Sequence, residues 1–86
     1  MPYPNEHSAR ILSPDRFQKS HWSRMTLPNS DISVILGRLK GQTSTTIQAY
    51  RFPKNSYTPI QAQRWLRDHH IRVMKFEPAR AETRMD

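Results

Sequence analysis

The residues best suited to metal or acid–base chemistry are the four histidines. His7 follows Glu6, His21 stands alone, and Asp68-His69-His70 form a run. A metal site needs several nitrogen or oxygen ligands converging on one point. On a helix, adjacent His69 and His70 diverge by about 100°, so His7 or His21 would have to fold over to complete a site. The simpler expectation puts His69 partly over the core and His70 in solvent at a helix C-terminus, where a positive imidazole is favoured. No metal or cofactor is expected on this reading. Cysteine is absent, which removes thiolate nucleophiles, thiolate metal ligands and disulfides. No nucleophile elbow or paired-carboxylate spacing appears, and two glycines cannot build a phosphate cradle. These absences lead us to expect a protein that is not an enzyme.

The basic residues say more. Fourteen Lys and Arg face seven Asp and Glu, a formal charge of +7 in 86 residues. The excess sits on residues 32–77, whereas the two ends are nearly neutral. Arg38, Lys40, Arg51, Lys54, Arg64, Arg67, Arg72 and Lys75 are the candidate partner-binding side chains. Tyr50 and Tyr57 interleave with them as candidate stacking rings. Cations and aromatics on one surface hold phosphates and stack bases. The alternative is that Tyr50 and Phe52 are core and that the charges form a solvated face. Charge alone does not separate nucleic acid from an acidic protein.

The elements that would position these residues form one small α+β domain. Residues 1–31 hold Pro2, Pro4, Pro14 and Pro28 among isolated apolar residues, and are expected to be an irregular arm. Within it Ser13 can cap a short helical turn that starts at Pro14. Phe17 and Trp22 are large enough to pin the arm to a core. Residues 32–52 predict a β-hairpin turning at Lys40-Gly41-Gln42, with Gly41 free to take a positive φ. Gly37, inside the first strand, marks a bulge or a close approach of another backbone. Tyr50 and Phe52 fall on one side of the second strand, Ala49 and Arg51 on the other.

Thr58-Pro59-Ile60-Gln61 reads as a capping box with proline at the first helical position. Ala62, Trp65, Leu66 and His69 then recur on one helix face, and Trp65 is expected to meet strand residues such as Val34 or Ile47. Arg64 is spaced to pair with Asp68. Residues 71–77 predict a last strand ended by Pro78. The expected core, residues 32–78, is a three-stranded sheet in the order strand, strand, helix, strand, with one covering helix. The helix is expected to make a right-handed crossover if the strands it joins run parallel. Residues 79–86 are expected to fray. Mean hydropathy is −0.87 and no apolar run is long enough for a membrane span, so no membrane role is expected. The opening MPYPNEHSAR has no apolar stretch of the kind a secretory signal carries.

Two stretches resemble small proteins of tailed phages and prophages. One is Pro4-Asn5-Glu6-His7-Ser8-Ala9-Arg10 with Pro14 and Phe17. The other is Ala49-Tyr50-Arg51-Phe52-Pro53-Lys54, followed by Thr58, Ala62, Trp65-Leu66, Asp68-His69 and Phe76-Glu77-Pro78-Ala79. The second also resembles segments near phage prohead proteases and other head-morphogenesis proteins. The resemblance implies a phage or prophage origin and action in the cytoplasm of a bacterial host. It implies no activity, because that family has no assigned function, and it carries over no catalytic residue. The leading expectation is a binding module for nucleic acid or a nucleoprotein complex. The alternatives are an inhibitor of a host defence complex, of the anti-CRISPR type, that binds an acidic host protein, and an accessory of head assembly.

Overall fold

The structure, a computed structural model, describes residues 3–79. Of the expected frayed tail only Ala79 falls among them. In chain order the elements are β1 (Glu6–Arg10), a 3-10 turn (Pro14–Arg16), β2 (Ser23–Thr26), β3 (Ser33–Arg38), β4 (Thr45–Pro53), α1 (Pro59–Asp68) and β5 (Lys75–Glu77). The five strands form one antiparallel sheet ordered β2-β3-β4-β1-β5. The α+β class stands, but the sheet has five strands rather than three. Both additional strands come from residues 1–31, so that segment is not an irregular arm. No described helix is long and apolar enough to cross a membrane.

β1 lies between β4 and β5, with Ala9 opposite Tyr50 on one side and Phe76 on the other. Glu6-His7-Ser8-Ala9-Arg10 contains no Val, Ile, Thr, Phe, Tyr or Trp, so strand propensity gives no sign of it. Its buried middle, His7-Ser8-Ala9, is held by two neighbouring ladders instead. β4 and β5 both run antiparallel to β1 and therefore parallel to each other, with β1 between them. The helical crossover joins strands that are not neighbours. β5 is also shorter than residues 71–77, while Ile71 and Val73 pack against the core from the connection.

The helix begins where the capping box places it. Thr58 Oγ1 accepts from the Gln61 N–H at 3.1 Å, and Gln61 Oε1 accepts from the Thr58 N–H at 2.8 Å. Ala62 and Leu66 are buried with Ala9, Ile32 and Phe52. Trp65 packs at 5.8 Å from Tyr50 and 5.7 Å from Phe52, between ring centroids. His69 stacks on Trp65 at 3.8 Å. His7 is buried on this face. Its Nε2 donates to the Tyr57 carbonyl at 2.6 Å and its Nδ1 accepts from the Ala79 N–H at 2.8 Å. Both partners are backbone groups with fixed roles, so they select the neutral tautomer protonated at Nε2.

The β3–β4 connection turns at Gly41, whose φ of 81° suits the third position of a type II turn, closed by the Gln42 N–H to the Leu39 carbonyl at 3.0 Å. Farther down the hairpin, Ile35 pairs with Ala49 but Leu36 pairs with Ile47. Gln48 is the extra residue of this bulge. Its carbonyl accepts from the Ile11 and Leu12 N–H groups at 2.9 and 3.3 Å, and its amide donates to the Leu12 carbonyl at 3.0 Å. The bulge thus ties the chain leaving β1 to β4.

Candidate functional site

Only one face of the sheet carries the helix. Strand alternation sends Glu6, Ser8 and Arg10 of β1 to the other face, with Arg51 and Ala49 of β4 beside them. Ile35 and Gly37 of β3, Arg24 of β2, and Lys75 and Glu77 of β5 share it. Among the described residues no helix or strand covers this face. It is crossed instead by the chain between β1 and β2, which lays Phe17 and Trp22 over Gly37.

Phe17 is 2% exposed and stacks obliquely on Trp22 with ring centroids 5.1 Å apart. A Cβ at Gly37 would lie 2.7 Å from Phe17 Cδ2 and 2.8 and 2.9 Å from Trp22 Cζ3 and Cε3. Gly37 therefore marks a close approach, by two rings rather than by a backbone. The crossing segment is held in place by the Ser13-capped turn and by the hairpin end. Ser13 Oγ accepts from the Asp15 N–H at 3.3 Å. The Gln18 N–H donates to the Arg38 carbonyl at 2.7 Å, and the Lys40 N–H to the Arg16 carbonyl at 3.0 Å. Trp22, so supported, stays 40% exposed.

Two depressions meet at Trp22. One, of about 420 Å³, has Lys19, Lys40 and Asp15 on its walls. The other, of about 230 Å³, is lined by Tyr3, Arg10, Ile35 and Arg51. Arg51 is fixed there from several directions. Its Nη1 lies 3.4 Å from Glu6 Oε1, its Nη2 donates to the Tyr3 hydroxyl at 2.9 Å, and its Cζ stands 3.9 Å above the centre of the Tyr3 ring. Arg24 closes on Glu6 from β2. Burial alone pushes the Glu6 carboxyl up. The hydrogen bond and charge of Arg24, joined by Arg51, outweigh that and hold it below its ordinary value. Arg10, Lys19 and Lys40 have no ion-pair partner among the described residues.

The expected partner-binding residues are scattered by the fold. Lys40, Arg51 and Lys75 belong to the open face or its rim, with Lys75 paired to Glu77 at 3.5 Å. Arg38 follows Gly37 and projects to the opposite side, its Nε buried without a hydrogen-bond partner among the described residues. Lys54 follows β4, where its N–H donates to the Asn5 carbonyl at 3.0 Å. Arg64 and Arg67 stand on the outer helix surface, and it is Arg67 rather than Arg64 that lies near Asp68, at 3.8 Å. Arg72 is exposed on the connection to β5. Tyr50 and Tyr57 are half-buried against Trp65 and Phe52 on the helix side. They serve the core and do not share a surface with the open face.

Sequence reasoning missed Tyr3, Arg10, Lys19, Trp22 and Arg24 as site residues, because their segment was expected to be irregular. The usable signal was Gly37. A glycine inside a strand next to Val34, Ile35 and Leu36 leaves space for a bulky group, and Trp22 was expected only to pin the arm. Among the described residues no three His, Asp or Glu side chains stand together as a metal site would require. Comparison with known proteins finds no matching family model, no matching curated protein and no matching solved structure.

Proposed function

We propose that the chain is a non-enzymatic module that binds nucleic acid, or a nucleoprotein complex, through the open face of its sheet. One observation carries this reading: an exposed tryptophan stands between two depressions walled by arginines and lysines. Phosphates would be held by Arg10, Lys19 and Lys40, which have no ion-pair partner among the described residues, and by Arg51, which is pre-oriented. The non-enzymatic part is supported by His7, the only buried imidazole, which spends both ring nitrogens on backbone groups. On the resemblance to small phage and prophage proteins, the setting is the cytoplasm of a bacterial host.

The test is a salt titration of binding to random-sequence DNA and RNA. The double change Arg10→Ala with Lys40→Ala should weaken binding to all sequences alike. It should reduce the slope of log K against log salt by roughly 1.4–1.8 units, two phosphate contacts' worth. Arg64→Ala with Arg67→Ala, on the outer helix surface, should leave the slope unchanged. If the parent shows no micromolar binding to any nucleic acid at ~50 mM salt, the reading falls. An inhibitor that grips an acidic host protein then takes its place.

A further inference from the structure

We infer that the nucleic acid taken by the open face is single-stranded, with Trp22 as the ring on which one of its bases stacks. The inference rests on the proposed reading that the partner is a nucleic acid, and it narrows that class by the geometry at Trp22.

Gly37 and Phe17 back the indole from below, so its position is set before any ligand arrives. The exposed remainder lies on a sheet face, between depressions, and not on a protruding helix or ribbon. A duplex buries both π-faces of every base inside its stack and offers the protein groove edges and phosphates. Only an unpaired base can turn a free face onto a ring seated in this way. Aromatic platforms flanked by cations, on a face that presents no helix to a groove, are the arrangement that tracks single strands.

The flanking charges fit the same occupant. Lys19 and Lys40, with Asp15, line one of the depressions that meet at Trp22, and Arg10 and Arg51 line the other. A strand laid across the indole would thus meet cations before and after the stacked base. Tyr3 supplies a second ring. Arg51 covers one part of it and fixes its orientation, and the ring remains 39% exposed. No stacking energy need be spent on ordering either side chain, which favours affinity.

The experiment measures affinities for a random single-stranded oligonucleotide and its duplex at equal salt, in the parent, Trp22→Ala and Trp22→Phe. The parent should bind the single strand at least about tenfold tighter than the duplex. Trp22→Ala should lose about 5- to 150-fold on the single strand, the range one lost base stack spans, with its salt slope intact. Trp22→Phe should stay within a few-fold of the parent. Indole emission provides a readout that survives a poorly folded alanine variant. Single strands should quench the parent, and the quenching should vanish in Trp22→Phe, where only Trp65 emits, although binding persists. If duplex binds as tightly as single strand and Trp22→Ala changes nothing, this inference fails while the basic-face reading stands. Absence of binding to either form sinks both.

Discussion

Arg51 and Phe52 are neighbours in β4 and meet opposite environments. Phe52 faces the helix, fully buried, with Tyr57 at 5.3 Å and Trp65 at 5.7 Å between ring centroids. Arg51 faces the other way, onto Tyr3 and Glu6. The two faces divide the work. Burial on the helix side supplies most of the stability, because removing apolar surface from water is the dominant favourable term. The ion pairs of the open side contribute little, since partly exposed pairs are typically worth about 0–1 kcal/mol. A face that is nearly dispensable for folding can be given over to a ligand. The exception is the Phe17–Trp22–Gly37 stack, where the open face has its own small apolar seat.

The sharpest way to break this division is to truncate each face in turn. Phe52→Ala should cost about 3–5 kcal/mol, the usual range for a buried aromatic. In a domain of this size that lowers Tm by roughly 12 °C or more, read by thermal denaturation. Lys40→Ala on the open rim should stay within about 0.5 kcal/mol of the parent. Equal losses from the two changes would show that the faces are not divided in this way.

Gly37→Ala tests the exception. Its φ lies outside the left-handed region, so the cost is one of space. The new Cβ would stand 2.7 Å from Phe17 Cδ2 and 2.8 Å from Trp22 Cζ3, so both rings must give way. Overpacking of this kind costs about 1–3 kcal/mol. A shifted indole emission should accompany the loss, together with weaker oligonucleotide binding. A variant with the parent's Tm and emission would mean that the rings do not sit over Gly37.

These contrasts explain which parts of the fold were legible. The hairpin, its turn at Gly41 and the helix start at Thr58 are local devices, written in a few adjacent residues. The pinning role of Phe17 and Trp22 followed from their size. β1 was illegible because nothing in Glu6-His7-Ser8-Ala9-Arg10 prefers a strand. It is a strand because β4 and β5 offer it hydrogen bonds on both sides, and small Ala9 fits the space beneath the helix. The candidate site was half legible for the same reason. Lys40 and Arg51 lie on recognisable strands or turns, whereas Tyr3, Arg10, Lys19, Trp22 and Arg24 belong to the segment whose structure comes from long-range pairing. Periodicity did separate Tyr50 and Phe52 from Ala49 and Arg51, and thereby the two faces. It could not tell which face the helix would take.

A smaller effect belongs to the helix that covers the closed face. Thr58→Ala removes the acceptor of the Gln61 N–H and should cost about 1 kcal/mol in a denaturant titration, with Thr58→Ser nearly neutral. Oligonucleotide affinity should not change in either variant once both are folded. An affinity loss that follows Thr58→Ala would instead tie the helix side to the ligand.

The smallest stability change is expected at Glu6, and there the effects on stability and on binding differ in sign. Arg24 and Arg51 hold this carboxyl below its ordinary value of 4.5 in spite of its partial burial. A depressed folded value means that the contribution is present above pH 4.5 and is lost as pH falls through the folded value. At neutral pH, Glu6→Gln should therefore cost only a few tenths of a kcal/mol, because the carboxylate is part-exposed and screened. Between about pH 5 and pH 3 the parent should lose stability faster than Glu6→Gln, whose amide does not titrate. Binding should move the other way. Removing the negative charge leaves Arg24 and Arg51 free for phosphate, so Glu6→Gln should tighten oligonucleotide binding a few-fold at low salt, and the gain should shrink as salt rises. Matching acid-denaturation profiles for parent and variant would show that the arginines do not hold the carboxylate. Unchanged affinity would show that they do not face the ligand.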